Sequence, residues 1–156
     1  MCLLACVCAA CNTQVAYENY QQIGHAVWQK EQAYSFDFQV DDSTRSYDIS
    51  VEVRNNGFYP YQNLWLLCEE VQGEHTLACD TINCELADDY GKWYGQGISI
   101  FHSSFRLREG YRFPKTGVYT FRVKHGMRKE ELQGIREIGL RVAHGVRGVL
   151  PEEDKE

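Results

Sequence analysis

Positive charge is scarce in this chain: 16 Lys and Arg stand against 22 Asp and Glu, giving a formal net charge of −6 and a pI near 5.4. Neutralising phosphates supplies most of the affinity for nucleic acid, so this balance excludes nucleic acid as an expected partner. The apolar run at the N-terminus is short as well. Cys2 to Ala10 has nine apolar or small residues, whereas a helix needs about 20 to cross a bilayer. Strong catalytic signatures are missing: there is no Gly-rich phosphate loop, no G-x-S-x-G and no H-E-x-x-H. His25, His75, His102, His125 and His144 are scattered, with no two at the i, i+2 or i, i+4 spacing that would put two imidazoles on one metal. A non-enzymatic protein without cofactor or metal is the expectation.

What the chain does have is aromatics in short alternating runs, with 10 Tyr, 7 Phe and 3 Trp in 156 residues. Such residues suit a half-buried pleated surface, and this length suits one domain. Tyr34, Phe36, Phe38 and Val40 alternate with polar residues; Tyr47, Ile49, Val51 and Val53 do the same and end at Asn55-Asn56-Gly57, a turn signal. Further strands are expected over Leu64–Val71, His75–Ile82, Val118–His125 and Ile135–Val142, with short ones at Ile98–Phe101 and Phe105–Leu107. The connection Met127–Gly134 has room for one helical turn. About seven to nine strands with regular turns predict an all-β fold, an antiparallel β-sandwich of jelly-roll or Ig-like type. The sandwich is expected over 23–145, followed by a charged tail over 146–156.

Seven cysteines are present, and four of them precede residue 12. Their irregular spacing, with no histidine before His25, does not suit zinc. An uncharged stretch ending in Ala9-Ala10-Cys11 matches instead the apolar core and small-residue cleavage site of a secretory signal. It is similar to the bacterial lipoprotein signature, in which the cysteine becomes the acylated first residue. Leu3-Leu4-Ala5-Cys6 is a second candidate that leaves almost no signal before it. Met1 and Cys2 supply no basic residue, so the start of the signal is expected upstream. The reading is a signal over 1–10 and a lipidated tether over 11–22. The remaining cysteines are Cys68, Cys79 and Cys84. Cys79 and Cys84 would face opposite sides of one strand. Cys68 and Cys79, on two arms of a hairpin, are the candidate disulfide; three free buried thiols are the alternative.

The segment Ala87–Gly97 is a glycine-punctuated loop carrying Asp88, Asp89, Tyr90, Trp93 and Tyr94. Exposed Trp93 and Tyr94 would stack on a sugar ring with the aspartates accepting its hydroxyls; a buried Trp93 would instead plug one end of the sandwich. Asp80, Asp88 and Asp89 are too few to argue for calcium.

Larger segments carry a resemblance. Five residues separate Cys11 from Tyr17-Glu18-Asn19-Tyr20. Val53-Arg54-Asn55-Asn56-Gly57-Phe58-Tyr59-Pro60-Tyr61-Gln62-Asn63-Leu64, Gly91-Lys92-Trp93-Tyr94-Gly95 and Tyr111-Arg112-Phe113-Pro114-Lys115-Thr116-Gly117-Val118 follow, then Gly139-Leu140-Arg141-Val142. Over about residues 11–143 the chain resembles the gliding-motility lipoprotein GldH family of Bacteroidetes. That resemblance implies lipidation at Cys11 rather than Cys6, an envelope protein linked to gliding and to type IX secretion, and no catalytic residue. The membrane, through the acyl anchor, and other envelope proteins are the expected partners, with a glycan as the alternative. Asn12-Thr13-Gln14-Val15-Ala16 lacks the acidic run that accompanies surface export in some lipoproteins of this phylum. The expected location is therefore the periplasmic face of the outer membrane.

Overall fold

The computed structural model describes residues 15–145; the four early cysteines, Cys11 among them, and the tail expected over 146–156 lie outside the described residues. Ten strands run β1 Val15–Gln22, β2 Val27–Gln29, β3 Tyr34–Val40, β4 Tyr47–Asn56, β5 Asn63–Gln72, β6 His75–Glu85, β7 Ile100–Tyr111, β8 Gly117–His125, β9 Glu131–Gln133 and β10 Ile135–His144. They form two four-stranded sheets, ordered β1-β10-β4-β7 and β3-β8-β5-β6, with β2 and β9 as a separate ribbon. Every pairing is antiparallel. The all-β sandwich expected from the sequence is the fold.

Alternation decides the core. In β3 the residues Tyr34, Phe36, Phe38 and Val40 are buried and those between are exposed. Facing them, Ile49, Val51 and Val53 of β4 and Ile138, Leu140 and Val142 of β10 are fully buried. Each such side chain contributes about 1.5–3 kcal/mol on burial. Between the sheets the Phe113 ring sits 4.5 Å from Tyr119 and 5.6 Å from Phe38. Trp28 is buried where the ribbon closes the sandwich, and its indole N–H donates to the Gln32 carbonyl at 2.8 Å.

Three elements differ from expectation. Val15–Gln22 falls in the stretch read as tether, yet it pairs with β10 from Val15↔Ala143 to Gln22↔Glu137. Its sequence lacks apolar alternation because it is an edge strand with few buried positions; the Tyr17 ring reaches Phe38 at 5.5 Å. The two short candidates around Phe101 and Phe105 are one strand, β7, whose pairing with β4 is irregular at Tyr47/Ile49 and Ile49/Ser50. The connection after Met127 holds β9 rather than a helical turn, because Leu132 is drawn into the core opposite Trp28.

Of the two readings of Cys68, Cys79 and Cys84, the structure has the free thiols and not the candidate Cys68–Cys79 disulfide. In the β5–β6 register Cys68 stands opposite Asp80 and Cys79 opposite Glu69, a one-residue offset that turns the thiols to opposite faces. Cys68 is buried, Cys79 exposed and Cys84 buried. Burial pushes the Cys68 thiol up to about 12 and raises Cys84 as well, so both are unreactive packing residues.

His125 gives this core a pH dependence. It is buried at the end of β8, edge-on to Trp28 at 5.5 Å. Burial lowers its pKa below the ordinary 6.5; the Trp28 backbone opposes the shift, Lys30 adds to it, and Glu130 and Glu31 oppose it. A depressed pKa means that the unfolded chain binds the proton first, so stability is complete above pH 6.5 and is lost as pH falls through the folded value. The urea midpoint should therefore fall below pH 6.5, and fall less in a His125→Phe variant. An equal acid decline in both chains would place the titrating group elsewhere.

Candidate functional site

Strand registers sort the loops into two ends. Val15 lies beside Ala143, and Tyr47 pairs with both His144 and Tyr111, which defines one end of the first sheet. Gln22, Asn55, Asn56, Ile100 and Ile135 define the other. The second end carries the loops 23–26, 57–62 and 86–99, and the ends are about 25 Å apart at ~3.3 Å per strand residue.

At this far end Asp88 organises the aromatic loop. Its Oδ1 accepts the backbone N–H groups of Tyr90 and Lys92, both at 2.9 Å. Gln62 ties the loop to its neighbour by donating to the Asp88 carbonyl at 2.9 Å. Trp93 bridges to Ala87 and is half-buried, its ring stacked on Phe101 at 5.7 Å and tilted against Tyr59 at 6.4 Å. Tyr94, next in the chain, is exposed. With Trp93 half-buried and Tyr94 exposed, Trp93 is neither the open stacking face of a sugar platform nor a fully buried plug. Asp89 is exposed and Asp88 is engaged by backbone. Around them large apolar groups meet water: Ile98 is 97% exposed, Tyr90 96% and Phe58 85%. All three lie on loops of this end.

Beside this end, a cavity of about 630 Å³ opens among Ile23, His25, Ala26, Arg54, His102 and Arg136. Its wall includes strained backbone: His25 and Ala26 have φ of 54° and 56°, in the left-handed region that side chains with a Cβ disfavour.

Deeper on the same outer face of β1-β10-β4-β7 lies a polar network that the sequence did not signal. Glu52 belongs to the outward phase of β4 yet is 2% exposed. Its Oε1 accepts Ser50 Oγ at 2.6 Å and Ser104 Oγ at 2.8 Å, and its Oε2 meets His102 Nε2 at 2.8 Å. Tyr20 roofs the cluster, its hydroxyl 3.4 Å from the same histidine nitrogen. The Arg54 guanidinium lies 4.0 Å from the Tyr20 ring centroid and binds Glu137 at 2.6 Å. The Tyr20 ring rests on β10 because residue 139 is glycine: a Cβ there would come within 2.7 Å of it. Burial first, then the Glu18 hydrogen bond and the nearby carboxylates, push the Tyr20 phenol up to about 12, against Arg54. It remains a neutral phenol at physiological pH. A glycine inside a strand marks a close approach, as Gly139 does here under the Tyr20 ring.

This wiring shapes what the cluster can do. Ser50 and Ser104 both donate to Glu52, and His102 meets that carboxylate and the Tyr20 hydroxyl rather than either serine, so the cluster lacks the serine–histidine contact of a catalytic triad. A second pair of carboxylates, Glu70 and Asp80, shares Arg108. Among the described residues, no three His, Cys, Asp or Glu side chains converge as metal ligands. The carboxylates of these two networks are bound to neighbouring side chains, and exposed Asp89 and Lys92 accompany the exposed apolar Ile98, Tyr90 and Phe58 at the far end.

Comparison with known proteins agrees on one family. The family model described as GldH lipoprotein matches residues 15–142. A protein described as a gliding motility lipoprotein GldH homolog, from Christiangramia forsetii, is 29% identical over 142 residues, covering 86% of this chain and 86% of its own length. The gliding motility lipoprotein GldH of Flavobacterium johnsoniae is 29% identical over 148 residues, covering 90% of this chain and 91% of its own. No solved structure matches.

Proposed function

The chain belongs to the GldH lipoprotein family, and from that premise we propose that it is a non-enzymatic envelope lipoprotein serving gliding motility or type IX secretion through protein–protein contacts. In this reading Cys11 carries the acyl groups and the sandwich stands in the periplasm, on the outer membrane. Two or three acyl chains on one cysteine meet the requirement of more than one anchoring signal for firm attachment.

The observation that carries the reading is the polarity of the molecule. Cys11 precedes β1 by four residues, a reach of at most about 14 Å in an extended chain. An anchor there holds the Val15 end, with the polar turns at 41–46 and 72–74, against the membrane. Tyr90, Ile98 and Phe58 then face away from it, on the end where a partner has access.

One experiment tests both halves in cells. Cys11→Ala should move the protein from the membrane pellet to the soluble fraction. Tyr90→Asp with Ile98→Asp should leave it in the membrane, change stability by less than about 0.5 kcal/mol at these exposed sites, and abolish colony spreading or secretion in a strain that depends on it. A Cys11→Ala protein that still pellets contradicts the anchor; a double aspartate variant with full activity contradicts the partner surface.

A further inference from the structure

The outer face of the second sheet has a chemistry of its own. From β5 it presents Trp65, Leu67 and Glu69, and from β6 Leu77, Cys79 and Thr81; Thr120, Arg122 and Lys124 come from β8. Trp65 is 41% exposed, large for an indole on a sheet. The segment after β8 folds over it: Gly126 N–H donates to the Trp65 carbonyl at 2.7 Å, and the Met127 sulfur accepts the Trp65 N–H at 3.4 Å. A cavity of about 530 Å³ lies between that segment and the sheet, and a second of about 270 Å³ lies farther along β5 beside Glu31 and Ala33. Both are lined by Leu67 and Thr81, so they form one trough along β5 from Tyr61 to Glu69. At ~3.3 Å per residue this is room for about eight extended residues.

The trough reverses the sign of the protein. The chain carries −6 overall, yet Arg122, Lys124, Arg128 and Lys129 line the trough. Three carboxylates also line it, and all are in the smaller cavity: Glu31, Glu69 and Asp80. Asp80 is committed to Arg108 at 2.6 Å. Glu31 meets Lys124 at 3.9 Å, and Glu69 stands opposite Arg122 in the strand register. Arg128 and Lys129 make no ion pair among the described residues, and the larger cavity holds no carboxylate. An apolar floor of Trp65, Leu67 and Met127 under unpaired cations is complementary to a strand-like segment with alternating apolar and acidic side chains.

We propose that this trough binds an extended acidic, apolar segment of a partner protein, at a surface that adjoins loop 57–62 at Tyr61 but includes none of Phe58, Tyr90 and Ile98. The choice of a protein segment over a lipid surface rests on the anchor position proposed above, since the trough opens at Tyr61, beside the loops most distant from Val15. Arg128 and Lys129 select the acidic side chains, and the Trp65 face supplies contact area.

The test uses the full chain carrying Cys11→Ala, which needs no detergent, titrated with an eight-residue capped peptide alternating Glu and Leu. Its Lys–Leu counterpart and vesicles of phosphatidylglycerol are run in parallel. The Glu–Leu peptide should bind about tenfold more tightly than the Lys–Leu peptide. Arg128→Glu with Lys129→Glu should invert that order, and Trp65→Ser should weaken binding of the Glu–Leu peptide about fivefold without moving the melting temperature. Equal affinity for the two peptides, or an order that charge reversal leaves unmoved, overturns the proposal. So does binding to the vesicles and not the peptide, or a Trp65-dependent dimer, which would name lipid or a second copy as occupant. Each of these results leaves the far-end variants as an independent test of the partner surface there.

Discussion

Replacing Arg108 with alanine is expected to destabilise the protein by about 3–5 kcal/mol, read from urea unfolding. Arg108 leaves β7 of one sheet and reaches β5 and β6 of the other, where it binds the Glu70 carboxylate and, at 2.6 Å, Asp80. Its guanidinium also lies 4.5 Å from the Tyr111 ring centroid, and the Tyr111 hydroxyl donates to Glu70 at 3.1 Å. Glu70 is completely buried. Without the arginine its charge stays in the core with one phenol as partner, and that uncompensated burial, rather than the lost attraction, sets the size of the effect. Asp80 is half-exposed and rehydrates at little cost. Combining Arg108→Met with Glu70→Leu should therefore recover most of the loss, because an apolar pair of similar volume removes the charge as well as its partner. A double variant as unstable as the single one would show that the network holds the sheets in register.

The second large effect is expected at Gly134, where alanine should cost about 3 kcal/mol or more. Its φ is +97°, and a Cβ would lie 2.5 Å from both the Cα and the N of Tyr59, which are main-chain atoms and cannot rotate away. The junction also ties the far end together. Gly134 N–H donates to Ala26 of the strained turn at 2.9 Å, and its carbonyl accepts Asn56 N–H at 2.9 Å. Displacing it moves the cavity wall and the Phe58 loop at once. Gly134→Ala should thus lose partner-dependent activity at temperatures where the protein remains folded, whereas Arg108→Ala should lose it only on unfolding.

Much of the sandwich was legible because its central strands alternate cleanly: Tyr34–Val40 is β3 as read, and Tyr47–Arg54 is β4 less two residues. Edges were not legible. β1 buries too little for its period to show, so a strand resembled a tether; β2 and β9 are three residues each, held by Trp28 and Leu132 meeting across the ribbon. The Cys68–Cys79 pairing needed register to single-residue accuracy, which depends on the hairpin geometry rather than on local pattern. For the candidate site, Trp93 and its glycines were visible as a loop worth attention, but their packing on Phe101 and Tyr59 is long-range. Glu52 was hidden altogether. In sequence it is one more polar residue of an outward phase, and its burial is made by Tyr20 and His102 from two other strands.

The central claim is that the anchor and the partner surface occupy opposite ends of the sandwich. It is tested most directly by placing a photoreactive amino acid, one position at a time, in the anchored full chain in living cells. Tyr90 and Ile98 report the far end; Thr44 and Glu74 report the end beside Val15. The same envelope protein should be captured from Tyr90 and from Ile98, with none captured from Thr44 or Glu74. Capture of that protein from Thr44 or Glu74, with nothing from the far-end positions, would contradict it.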